Sequence, residues 1–187
     1  MSIKFTHHEK ECAFFCTFTC LDWLPLFQIT DLYDEIYKWL NILVEQKHKV
    51  VGFVIMPNHM HLLLDLTSRD YVINSVLANG KRFMAYEIVK RLQVRGHDNI
   101  LAILSSRVTA EERKRKKKHR VFEVSSDIKP CYTERFLLQK LEYIHANPVS
   151  KKWLLANAPE QYPHSSASFY ELNQEHPKVQ LTHYEHL

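Results

Sequence analysis

The chain has 187 residues, 45% of them hydrophobic and 12% aromatic, and a formal net charge of +4. That composition describes a folded protein with enough length for a proper core, and it excludes a disordered chain. With only 3 glycines there is no Gly-rich phosphate loop of the P-loop or dinucleotide-binding kind.

The mild positive charge is compatible with a polyanionic partner without requiring one. Cys12, Cys16, Cys20 and Cys131 contain no CxxC pair, so neither a disulfide framework nor a structural zinc site is expected. The N-terminal MSIKFTHHEKE is polar with no apolar segment behind it, unlike a signal peptide. No apolar run approaches the roughly 18 residues of a membrane span. The expectation is a cytoplasmic protein with no membrane association.

Taken in order, Glu11 to Cys20 is aromatic and β-branched and predicts a first strand. Asp31 is the expected N-cap of a helix running to about His48, with Tyr33, Ile36, Tyr37, Leu40, Leu43 and Val44 at spacings of three and four. Val50 to Met56 predicts a second strand, Pro57-Asn58 a tight turn, and His59 to Leu66 a third strand. So short a connection permits only an antiparallel hairpin. Tyr71 to about Arg95 predicts a long helix burying Val72, Val76, Phe83, Tyr86, Val89 and Leu92, with Gly80 marking a kink or a close approach. Val121 to Tyr132 holds a fourth extended piece. Thr133 caps a helix from Glu134 to about Ala146, and an irregular tail follows from about residue 150.

The resulting order is a βαββαβ pattern, an α+β, ferredoxin-like antiparallel sheet with its two helices on one face. A further helix carries Tyr143. No internal repeat or linker divides residues 1–187, so one domain is expected.

His59 and His61 project from the same side of their strand, because side chains alternate with a period of two. To escape burial under the two helices, they must look out from the opposite face of the sheet. Two imidazoles so placed can share a divalent metal. Tyr143 and Asn147 are i and i+4 on one helix and project together, with Lys140 a turn earlier. The apolar stripe Leu137, Leu141 and Ile144 lies on another side and docks the helix. Pro148 places the helix end near Asn147. Its carboxamide is a natural third ligand in a His₂Asn set for Mg²⁺ or Mn²⁺, and Tyr143 is then the candidate nucleophile.

VIMPNHMHLLL together with LEYIHANPV strongly resembles the single-tyrosine HUH transposases, in particular the REP-associated tyrosine transposases and related small insertion-sequence transposases. The resemblance runs from the first strand through Ser165-Ser166. It implies cleavage of single-stranded DNA through a 5′-phosphotyrosine intermediate, with His59, His61 and Asn147 holding the metal and Tyr143 attacking. It also implies recognition of hairpins beside the cleavage site. The protein is expected to be a monomer or homodimer, nucleoid-associated when bound to DNA. The chain departs from the family before its last helix, where Val121-Phe122-Glu123 replaces a tryptophan-containing segment. A non-catalytic hairpin-binding protein on the same fold is the alternative.

The residues offered for DNA contact are Lys81 and Arg82 on the long helix, Lys140, and the run containing Arg113, Lys114, Arg115, Lys116, Lys117 and Lys118. For that run a solvated loop and a phosphate-contacting arm are both open readings.

Overall fold

In a computed structural model, which describes residues 13–66 and 72–187, β1 (Ala13–Thr19) lies at the centre of the sheet. The other strands are β2 (Lys49–Ile55), β3 (His59–Asp65) and β4 (Asp127–Cys131). The order is β2-β3-β1-β4 and every neighbouring pair is antiparallel. This is the arrangement expected of βαββαβ connectivity. The starts expected at Glu11 and Tyr71 fall outside the described residues, as does Cys12. β4 is shorter than the extended piece expected over Val121–Tyr132, although Phe122 still bridges to Cys20 beyond the end of β1.

The helices are α1 (Leu26–Thr30), α2 (Tyr33–Glu45), α3 (Ile73–Val94), α4 (Asp98–Ser106), α5 (Ala110–Lys114), α6 (Glu134–Ala146) and α7 (Ala167–Glu171). Alternation divides the strands between two apolar layers. Phe14, Cys16, Phe18, Met60, Leu62 and Leu64 pack under α2 and α3, while Ala13, Phe15, Val54 and Leu63 pack under Leu137, Leu141 and Ile144 of α6. A register shift between Val50 and Gly52 moves the alternation of β2 by one residue, so that Val50, Phe53 and Ile55 all pack in the layer under α2 and α3.

Two glycines permit close approach. A β-carbon on Gly52 would sit 2.5 Å from Leu141 Cδ1 of α6, and one on Gly80 would sit 2.5 Å from the Trp39 indole of α2. Gly80 is therefore a helix-packing contact, and α3 runs through it without interruption.

Two local expectations need correction, and one helix is new. Asp31 is the left-handed C-cap of α1 (φ 51°), and Leu32 occupies the N-cap of α2 without a side-chain bond. Phe83 and Tyr86 are exposed, because α3 buries the stripe Ile73, Val76, Leu77, Gly80, Met84, Ile88 and Leu92 instead. α4 was not anticipated; it is a short amphipathic helix that seats Ile100 and Leu104.

The tail from residue 150 is irregular but docked. Ile55 N–H donates to His164 O, Ser166 N–H to Phe53 O and Thr182 N–H to Val50 O, while the Tyr162 and Tyr170 hydroxyls donate to Ile55 O and Val51 O. The free edge of β2 is thereby covered, which removes a site for unwanted strand pairing. Among the described residues no helix is long and apolar enough to cross a membrane.

Candidate active site

His59 and His61 lie on the α6 face of the sheet, opposite α2 and α3. Both are buried, at 4% exposure each, with ring centroids 4.8 Å apart. The antiparallel register sets Thr17 beside His61 and Thr19 beside His59. Thr17 Oγ1 is 2.7 Å from His61 Nδ1. Asn58 Oδ1 is 2.7 Å from His59 Nδ1 while its Nδ2 donates to Trp23 O at 2.8 Å. That second bond orients the carboxamide, so His59 carries its proton on Nδ1 and keeps a lone pair on Nε2. Burial, reinforced by Lys152, lowers the His59 pKa to about 4. Burial, then His59 and Lys140, lowers that of His61 to about 3. Both imidazoles are neutral at pH 7, the form that binds metals.

α6 supplies the rest. Thr133 caps it by accepting from Phe136 N–H, and its apolar stripe docks on the sheet as expected. Asn147 Nδ2 reaches 3.1 Å from His61 Nε2. The Tyr143 ring lies 5.1 Å from the His61 ring and 6.0 Å from Phe15, yet Tyr143 stays 50% exposed. The Lys140 ammonium sits over Phe15, Phe136 and Tyr143, 5.7 Å from the last. The helix does end at Asn147, but Asn147 keeps α geometry (φ −58°, ψ −49°) despite preceding proline. Its N–H turns to Ile144 O, tightening the final turn.

The structure thus gathers His59, His61, Tyr143, Asn147 and Lys140. Asp65, further along the same face, pairs instead with Lys49 at 3.9 Å. Among the described residues no three His, Cys, Asp or Glu side chains converge, and the carboxamide that stands beside the histidine pair from α6 is that of Asn147.

The other basic residues lie elsewhere. Lys81, Arg82, Arg115, Lys116, Lys117 and Lys118 line a groove of about 960 Å³ between α3 and residues 112–128, on the far side of the sheet. Lys81 Nζ is engaged internally, donating to Glu123 O and Ser126 Oγ at 2.9 and 3.2 Å. Its pKa falls to about 8, chiefly through burial. Glu112 closes a capping box with Thr109 and takes ion pairs from Lys117 and Arg120 at 2.7 and 2.6 Å. The run is therefore a folded turn rather than a free arm, with Lys114, Arg115, Lys116 and Lys118 exposed. Arg113 donates to Ser105 O.

Sequence reasoning missed Thr17, Asn58, Trp23 and Trp153 around the histidines. Asn58 could have been suspected from its place beside His59. Thr17 depends on strand register, and no local pattern shows that. Ser166 also acquires a definite place: its Oγ accepts from Phe53 N–H and lies 2.9 Å from His145 Nε2, tying α6 to β2.

No family model matches this chain, and no curated protein is detectably similar to it. A REP-associated tyrosine transposase solved bound to a REP hairpin aligns over 100% of this chain and 96% of its own length. The TM-score is 0.58 at 16% identity, so the two share a fold. A candidate transposase from Deinococcus radiodurans aligns over 76% of this chain and 95% of its own, with TM-score 0.41 and 16% identity.

Proposed function

We propose that this protein is a metal-dependent single-stranded DNA nickase and strand transferase of the single-tyrosine HUH transposase family, acting at hairpin-associated sites with residues 1–187 as one domain. Tyr143 is the nucleophile, and His59, His61 and Asn147 hold Mg²⁺ or Mn²⁺. The observation that carries the reading is the convergence of α6 on the strand histidines: Asn147 Nδ2 is 3.1 Å from His61 Nε2, beside a half-exposed Tyr143. A purely structural tyrosine has no need to stand open to solvent beside the neutral His61 imidazole. The fold shared with a hairpin-bound transposase adds support.

The residues fit a divalent ion. Both histidines are neutral, the His59 Nδ1 proton is engaged by Asn58, and the Asn147 carboxamide needs only to turn over to present its oxygen. Such a ligand set carries no charge, so a DNA phosphate is the natural source of negative charge at the site. When bound, the ion polarises a phosphate oxygen and helps fix the scissile bond in line with the nucleophile.

The chain's own groups do the remainder. Tyr143 Oη attacks phosphorus, and the P–O3′ bond breaks. The phenolic proton passes to solvent, which the half-exposed ring reaches, and the departing 3′ oxygen takes up a proton to leave as a free hydroxyl. A 5′-phosphotyrosine remains. Attack on the same phosphorus by another 3′-hydroxyl restores the phenol and joins the strands. Lys140, above the Tyr143 ring, offsets negative charge on the phosphate. On the far side of the sheet, the groove with Arg82, Arg115, Lys116 and Lys118 suits a hairpin phosphate backbone.

The test is incubation of hairpin-containing single-stranded DNA with Mg²⁺ or Mn²⁺, followed by a denaturing gel. A covalent adduct is expected for the wild type and none for Tyr143→Phe, with DNA affinity kept within about threefold. Hairpin binding by the wild type with no adduct in either metal would replace this reading with a non-catalytic hairpin-binding protein.

A further inference from the structure

Asp22 and Trp23 both adopt left-handed backbone angles, with φ of 50° and 58°. Two successive residues bearing β-carbons in that region are costly and persist only where the surroundings enforce them. Here the enforcement is visible. Asp22 N–H donates to Glu123 Oε1, Arg107 pairs with the Asp22 carboxylate at 3.0 Å, and Asn58 Nδ2 donates to the Trp23 carbonyl.

All of these bonds hold the backbone or Asp22, and none needs an indole at position 23. Glycine or asparagine would relieve the backbone, and an indole left 53% exposed adds little to the core. The loop's structure therefore does not explain the side chain it presents.

Its position does suggest a use. The Trp23 ring lies 5.6 Å from the His59 ring, and Trp153 lies 5.6 Å from His59 as well. Between the two indoles sits the exposed Lys152, its ammonium 4.7 Å over Trp23 and 5.5 Å from Trp153. An exposed aromatic face combined with a cation is the chemistry that holds single-stranded nucleic acid, one stacking a base and the other meeting a phosphate.

We infer that Trp23 stacks a nucleobase of the single strand that enters the His59–His61 site, with Lys152 meeting the adjoining phosphate. Trp23 is then a positioning residue that aligns the strand for Tyr143. The inference rests on the single-stranded DNA reading above and names the residue that orients the strand within it.

The experiment uses the full chain in a Tyr143→Phe background, so that no strand is cut. A dye-labelled twelve-residue oligothymidylate is titrated at one fixed salt concentration. Dye anisotropy reports binding, and tryptophan emission reports stacking. Trp39 is buried at 7% exposure, so the emission that responds comes from Trp23 or Trp153. Binding should quench that emission, and Trp23→Phe should remove most of the quench while Trp153→Phe keeps it. Trp23→Leu should weaken binding about 5- to 150-fold, the range that one aromatic–base stack commands.

In the reaction itself, Trp23→Leu should raise the DNA concentration needed for half-maximal adduct formation more than it slows the saturated rate. Normal anisotropy binding with no quench, or with a quench that survives in Trp23→Phe, overturns the inference and leaves the proposed function standing. No binding by anisotropy removes the single-stranded substrate, and the inference falls with it.

Discussion

Asn147 Nδ2 lies 3.1 Å from His61 Nε2, across 86 residues of chain. The contact joins the end of a helix to the middle of a sheet. It exists because Leu137, Leu141 and Ile144 seat α6 on the strand face that carries both histidines. Docking of an apolar stripe thereby sets the geometry of a polar site.

The site should bind metal through its histidines. His59→Ala and His61→Ala are each expected to weaken Mn²⁺ binding at least tenfold in calorimetry and to lose the covalent adduct. Asn147→Ala should be milder, since water replaces a neutral carboxamide more readily than a strand-fixed imidazole. Metal affinity unchanged in both histidine variants would mean two buried imidazoles that hold no ion.

Acid should destabilise the fold through His145. Burial lowers its pKa to about 4, so between about 6.5 and 4 the unfolded chain binds the proton and the folded chain does not. Stability is full above the unfolded value and is lost as pH falls through that window, levelling off near the folded value. The contribution is on the order of 3 kcal/mol at one pKa unit per 1.4 kcal/mol. Urea unfolding of wild type and His145→Gln at pH 7 and pH 4.5 should show a smaller pH-dependent loss for the variant. Equal losses would exclude His145 as a source.

The two packed glycines should separate stability from activity. Gly80→Ala drives a β-carbon against the rigid Trp39 indole, and overpacking of this kind costs about 1–3 kcal/mol, partly offset by about 1 kcal/mol of helix propensity. Gly52→Ala meets the end of the Leu141 side chain and, at 3.4 Å, Ser166 Oγ. These two groups tie α6 to β2, so repacking them disturbs the seat of α6 and with it Tyr143 and Asn147. Denaturant titration and adduct yield should therefore rank the pair oppositely: Gly80→Ala less stable, Gly52→Ala less active per folded molecule. An active, fully stable Gly52→Ala would show that α6 does not need its close seat.

For the basic run, glutamine at Lys114, Arg115, Lys116, Lys117 and Lys118 should weaken hairpin or single-strand binding across sequences. It should also reduce the slope of log affinity against log salt. Each lost single-strand contact removes about 0.7. Lys117 is already paired with Glu112, so four contacts and a change of roughly 3 are expected. An unchanged slope would leave residues 111–120 outside the DNA interface and turn attention to Arg82 and Lys90 on α3.

What the sequence determined by itself was everything that depends on the period of a single element. The His59–His61 alternation, the docking stripe of α6 and the bounds Glu134–Ala146 were legible because side-chain direction follows local geometry. The βαββαβ order was legible from the succession of those periods. Only the tertiary structure decided which of two apolar stripes α3 would bury, so Phe83 and Tyr86, chosen from the sequence, proved exposed. It alone brought Thr17 opposite His61, since strand register is a long-range pairing. It also separated Lys140, beside Tyr143, from Lys81 and Lys116, in the groove beyond the sheet. Glu112 folded the basic run into a turn, and the carbonyl of Glu123 engaged Lys81. These outcomes follow from contacts between segments far apart in the chain, which no window of neighbouring residues encodes.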